Sequence, residues 1–196
     1  MSTRYDRVEV TSRAQWRAWL AEHHATCPGI WAVTYKRPDK RHVPARDLNA
    51  EALCFGWIDS QPRALDTARS QLLITPRKPS SKWSKINKDR VEQLTASGLM
   101  HPAGLAVVDA AKAAGTWTAL DAVEALDEPP DLALALDAHG SARAHWDAFP
   151  RSARRAILEW IAAARKPETR HARITQTAEM AAENLRANQW RRPKGR

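Results

Sequence analysis

The chain has 196 residues and a mass of 22.0 kDa, enough to bury a substantial core, so a mini-protein held together by disulfides or metal is excluded. Hydrophobic residues make up 43% and charged residues 27%, as in soluble globular proteins, and no window approaches the ~18 uninterrupted apolar residues of a spanning helix. Lys and Arg outnumber Asp and Glu by 31 to 22, giving +9, unevenly spread: +2 over residues 1–60, +5 over 61–92, −6 over 93–150 and +8 over 151–196.

Residues 5–10 alternate well enough for a short edge strand. Ser12 followed by Gln15 then matches a capping box that opens a helix carrying Trp16, Trp19 and Leu20 and closing at Cys27, Pro28 and Gly29. Residues 30–36 are apolar and rich in β-branched or aromatic side chains, which predicts a strand. Residues 46–57 predict a helix with Leu48, Ala52, Leu53 and Phe55 turned inward, broken at Gly56 or soon after. Two extended runs, 63–66 and 71–75, flank the polar link 67–70 and predict a hairpin stopped by Pro76 and Pro79. Beyond this everything reads as helical. Ser84 opens a helix with Ile86, Val91 and Leu94 on one face, ended by Gly98, and Pro102 begins another that ends at Gly115. Residues 127–130 form the clearest linker, and short helices follow over 131–138 and 141–149. Ser152 opens a helix with Ile157, Leu158 and Ile161, and Pro167 separates it from a last helix with Ile174, Ala178, Ala181 and Leu185 on one face.

These elements predict an α+β chain: a small N-terminal mixed sheet with helices over 1–100, a helical unit over 101–188 and a flexible basic tail over 189–196. The start of the sequence has no apolar stretch before its charges, and Cys27 and Cys54 are too few for a disulfide framework, so the expectation is a reduced cytoplasmic protein without a Cys27–Cys54 bridge. Trp16, Trp57 and Trp160 fall on inward faces and are expected to be mostly buried.

Three blocks carry the most information. The first is Leu53-Cys-Phe-Gly-Trp-Ile-Asp-Ser60. The second is Leu73-Ile-Thr-Pro-Arg-Lys-Pro-Ser-Ser-Lys-Trp-Ser-Lys-Ile-Asn87. The third joins Arg154-Arg-Ala-Ile-Leu-Glu-Trp-Ile161 to Arg165-Lys-Pro-Glu-Thr-Arg170 and Arg173-Ile174. In this order, over about residues 27 to 186, they resemble the bacterial YdeI/OmpD-associated family, the bacteriocin-protection proteins. The resemblance implies a non-enzymatic stress or antimicrobial-peptide resistance protein that acts by binding. Association with a porin is implied by the family name only.

Physical reading of the same blocks offers a second function. Residues 75–87 combine Arg77, Lys78, Lys82 and Lys85 with Ser80, Ser81, Ser84 and Asn87 and the flat ring of Trp83, leading into a helix N-terminus that favours an anion. Arg165, Lys166, Arg170 and Arg173 surround Pro167 at a helix junction. An anion-binding cleft is therefore expected from Arg77, Lys78, Trp83, Ser84, Asn87, Arg165, Lys166, Arg170 and Arg173, with Trp83 stacking on a base or covering the bound group. Its ligand would be a nucleic acid or a phosphorylated molecule. The bland alternatives stand beside it: a proline-braced connection with Trp83 in the core, and Glu168 pairing with Arg170 or Arg173. Trp57 and Asp59 are candidate pocket-lining residues, although Trp57 fits the core and Asp59 a turn. Cys54 reads as a small buried hydrophobe, since no histidine lies in its motif. The seven histidines form no metal-ligand pattern, and Gly-rich phosphate loops and nucleophile elbows are missing. Neither a cofactor, a metal nor a catalytic residue is predicted.

Overall fold

A computed structural model describes residues 5–189 of the chain; most of the predicted basic tail, residues 190–196, lies outside the described residues. The described residues fall into two compact units that meet in sequence between Ala119 and Leu120.

The first unit is built on a four-stranded mixed sheet of order β1-β2-β4-β3, formed by β1 (Asp6–Glu9), β2 (Ile30–Tyr35), β3 (Trp57–Ala64) and β4 (Arg69–Pro76). The edge strand β1 runs parallel to β2, with Asp6 beside Ile30; β2 pairs antiparallel with β4, Ile30 facing Ile74, and β4 with β3, Trp57 facing Pro76. Helix α1 (Arg13–His23) makes the parallel crossover. Its cap differs from the expected box. The Ser12 hydroxyl accepts from the Gln15 N–H, but the Gln15 side chain accepts from the Thr11 backbone N–H at 2.8 Å, one residue earlier.

Helix α2 (Ala45–Cys54) is shorter than predicted, because Gly56 at φ +76° turns the chain and Trp57 already starts β3. The left-handed conformation suits glycine, and any Cβ there would also lie 2.7 Å from Val107. The first hairpin strand therefore begins at residue 57, not 63. Pro62 sits beside a register shift on this edge strand, where its missing N–H does not break a ladder. Helices α3 (Lys85–Ala96) and α4 (Pro102–Ala113) complete the unit. Helix α4 is thus counted with the sheet; its Gly104 lies directly on the backbone of Cys54, where an added Cβ would come within 2.2 Å of the carbonyl oxygen.

The core of this unit lies between the helices and one face of the sheet, with Trp16, Leu20, Leu48, Leu53, Trp57, Ile74 and Trp83 among its members. On the other sheet face Trp31 is 5% exposed, and Arg63 lies 4.7 Å over its ring. The Arg63 guanidinium thus covers part of the Trp31 ring. Ile86 departs from its predicted inward face at 64% exposure, since only Val91 and Leu94 of α3 reach the core.

The second unit is helical: α5 (Asp121–Ala125), α6 (Pro130–Ala138), α7 (Ala142–Ala148), α8 (Arg151–Ala162) and α9 (Pro167–Ala182). Helix α9 packs against α6, α7 and α8 and closes a core containing Leu132, Leu136, Trp146, Ile157, Ile161, Ile174 and Ala178. Helix α5 has no counterpart in the predicted elements. Leu185 is not part of the apolar face of α9, because the helix ends at Ala182 and Leu185 is 40% exposed.

Candidate functional site

Of the predicted cleft, the first block lies in the first unit and the second in the second. In the first unit Arg77 leaves β4 with its backbone N–H donating to the Gly56 carbonyl at 3.0 Å, and its side chain turns inward. The guanidinium lies 3.6 Å over the Trp83 ring, and Nη2 donates to the Lys82 carbonyl at 2.5 Å. Burial pushes the Arg77 pKa down to about 10, opposed by the charge of Asp59. Trp83 is 1% exposed and packs against Trp117 at 4.8 Å. Its faces are covered by protein, so the expectation that it stacks on a base is corrected. Lys78 is exposed; Ser84 stands at the N-cap position of α3 but makes no side-chain cap bond, and Asn87 is half-buried on the first turn.

Trp57 is a core residue, 1% exposed, its indole N–H donating to the His24 carbonyl at 3.1 Å. Asp59 sits in β3 and not in a turn, and belongs to a polar chain: Arg90 donates to Asn49 Oδ1 at 2.5 Å, and Asn49 Nδ2 donates to Asp59 at 2.5 Å. Beside it the buried Glu51 carboxylate accepts from Arg13 at 2.5 Å and from Arg17 at 2.7 Å. Arg17 also faces the Cys54 thiol, whose pKa burial nevertheless raises. Both Cys54 and Cys27 are free thiols.

These ion pairs border a pocket of about 310 Å³ lined by Arg13, Arg46, Asp47, Arg90, Gln93 and Ser97 and by the apolar Ala50, Leu94 and Leu99, with the Asp47 carboxylate 3.6 Å from the Arg46 guanidinium. Three arginines against the one carboxylate of Asp47 leave an excess of positive charge, and arginine forks suit a phosphate or carboxylate. The sequence reading missed Arg13, Arg46, Asn49 and Glu51. A signal was present: Glu51 follows Leu48 by three and precedes Phe55 by four, which puts it on the inward face of α2. A wider groove of about 450 Å³ lies between α3 and α4, lined among others by Val91, Leu105, Val108 and Trp117.

In the second unit the basic block is largely tied up by its own neighbours. Arg170 makes a two-pronged pair with Asp131 at 2.8 and 2.9 Å, holding the Asp131 carboxyl below its usual range. Arg173 donates to the Trp160 carbonyl and lies 4.9 Å over the Trp160 ring. The partners are therefore Asp131 and Trp160, not the anticipated Glu168. Trp160 is half-buried, less than its inward assignment implied, while Arg165 and Lys166 are exposed. Among the described residues no group of three or more His, Cys, Asp or Glu is placed to hold a metal ion, and no helix is long and apolar enough to cross a membrane.

Comparison with family models assigns both units. Residues 8–107, half of the chain, match a domain of unknown function (DUF8412), and residues 125–184 match the family described as bacteriocin-protection, YdeI or OmpD-associated. Neither the curated proteins nor the solved structures contain a match. The resemblance read from three blocks thus divides, the first two lying within the former match and the third within the latter. The chain belongs to the DUF8412 domain family through residues 8–107 and carries, over residues 125–184, the bacteriocin-protection, YdeI or OmpD-associated domain.

Proposed function

We propose that the protein is a cytoplasmic resistance factor against bacteriocin-type antimicrobial peptides, and that it acts by binding a phosphorylated or otherwise anionic ligand. The match over residues 125–184 supports the class. The ligand chemistry rests on one observation, the pocket that Arg13, Arg46 and Arg90 line with a single carboxylate, Asp47, among them. A net charge of +9 points the same way, since a basic surface repels a cationic peptide and attracts an anion. Arg13 and Arg90 are held in place by Glu51 and Asn49, so little ordering remains when a ligand arrives.

The test pairs a cell assay with titration. Expression of the chain in a bacteriocin-sensitive bacterium should raise survival, and the Arg46→Ala, Arg90→Ala double variant should lose that protection while remaining folded. Titrations with inorganic phosphate, ATP and a short RNA should show binding that weakens steeply as salt rises and disappears in the double variant. Unchanged survival on expression removes the resistance reading; binding that is indifferent to the double variant removes the pocket.

A further inference from the structure

Helix α4 begins at one side-chain acceptor. Pro102 has no N–H, and those of Gly104 and Leu105 donate to the His101 carbonyl at 2.9 and 3.1 Å, so the Ala103 N–H is left to the His101 ring, whose Nδ1 accepts from it at 3.2 Å. A backbone donor fixes the tautomer: Nδ1 carries the lone pair, and it is the atom an acid proton would occupy. Capping and protonation therefore exclude one another. The His101 ring stacks on Phe55 at 4.8 Å between centroids and lies 4.9 Å from the ring of His24. His24 has the opposite tautomer, since its Nδ1 donates to the Leu20 carbonyl at 2.9 Å, and it takes up a proton at Nε2 without losing that bond. Arg17 completes the cluster, 5.5 Å over the Phe55 ring, with Nη2 donating at 2.6 Å to the carbonyl of Leu99, two residues before the cap.

We infer that His101 is an acid-sensitive latch: protonation of its ring releases residues 99–104 from α1 and α2, and with them the Leu99 wall of the arginine pocket. A proton on Nδ1 removes the cap, sets a cation at the positive end of a helix and adds a charge beside others of its own sign. From α1 the groups that act on His101 are His24 and Arg17; from α2 the Cys54 carbonyl accepts the His101 N–H at 3.0 Å, while Glu51 is already held by Arg13 and Arg17; the first turn of α4 holds no acid. Burial first, then His24 and Arg17, keep the ring neutral to lower pH than an ordinary histidine. The proton thus favours the released form, and the latch is closed at neutral pH and loosens as pH falls below about 6.5. Control of the pocket rests on the reading of that pocket as an anion site; the latch itself does not.

The test follows amide hydrogen exchange of the full chain at pH 7.5 and 5.0, expressed as protection factors so that the intrinsic pH dependence of exchange drops out. Protection at residues 103–105 should fall roughly fivefold, the worth of one helix cap, while β2 and α9 stay protected. The fall should track protonation of the His101 ring in a nitrogen-15 titration. His101→Asn keeps an acceptor that does not titrate and should hold protection constant; His24→Gln removes one neighbouring charge and should move the release to higher pH, because the His101 ring then protonates more readily. Protection that is unchanged while the ring titrates, or that falls equally in His101→Asn, overturns the latch. Sulfate, whose charge is constant over this range, probes the pocket. Added positive charge alone would tighten its binding at pH 5.0, whereas release of Leu99 should weaken it in the natural chain and not in His101→Asn. Equal tightening in both chains overturns the control of the pocket. Sulfate binding at neither pH counts against the pocket reading, and the exchange data then decide the latch.

Discussion

Glu51 shows how much one residue can carry. Its carboxylate is 3% exposed while its partners Arg13 and Arg17 are 46% and 35% exposed. Replacing it with Ala releases two arginines that water can reach, and removes two charge-assisted hydrogen bonds from a buried acceptor. The expected loss is about 2 to 3 kcal/mol, seen as a lower denaturant midpoint at unchanged slope. Arg170→Ala breaks a pair that is half in water and should lower stability by less than about 1 kcal/mol in the same measurement. His101 gives a pH dependence with a definite sign. Burial, then the neighbouring charges of His24 and Arg17, hold its pKa below the ordinary value, and its Nδ1 accepts from the Ala103 N–H at the start of α4. Below about pH 6.5 the unfolded chain takes up the proton more readily than the folded one, so stability declines as pH falls from about 7. In His101→Asn, which keeps a capping acceptor without titrating, thermal midpoints across this range should lose that part of the slope. Periodicity foretold the burial of Trp16 and Trp57. It gave no sign that Arg77 would be buried, since an Arg beside Lys78 and two prolines reads as wet, and the ring beneath it belongs to a residue six positions on.

Among the elements, α2 and α4 meet too closely at Gly104 to admit a side chain there. Gly104→Ala would place a methyl carbon 2.2 Å from the Cys54 carbonyl oxygen, against backbone on both sides. The helices would have to separate, and the thermal midpoint should fall by an amount corresponding to about 3 kcal/mol or more. Nothing in the sequence marks Gly104 as such a contact, because glycine within a helical pattern reads only as a weak position. Helix ends were legible where glycine or proline punctuates the chain, as at Gly98, Gly115, Pro130 and Pro167. They were not legible at residues 57–62, where Trp-Ile-Asp-Ser-Gln-Pro continues a helical run in composition and becomes a strand by pairing with β4. Ile86 and Leu185 fit helical spacing yet lie outside both cores, as spacing says which residues share a face and not how far the partner surface extends.

At the level of the whole molecule, the two hydrophobic clusters share no residue, one drawing on Val10 to Ala111 and the other on Val123 to Ala187. Leu136 is fully buried in the second; Leu136→Ala should therefore cost about 2 to 5 kcal/mol there, and hydrogen exchange should show lost protection over residues 120–189 with protection over 5–119 retained. By itself the sequence determined the α+β class, the helical character of the second half, the free thiols and the bacteriocin-protection resemblance of the third block, because these depend on local periodicity, punctuation and ordered motifs. Only the tertiary structure decided that α4 packs on α2 in the unit that holds the sheet, that Trp83 lies under Arg77 and not in solvent, and that Glu51 and Asn49 hold Arg13, Arg17 and Arg90. Those facts join residues far apart in the chain, and no local pattern encodes which side chain closes over which.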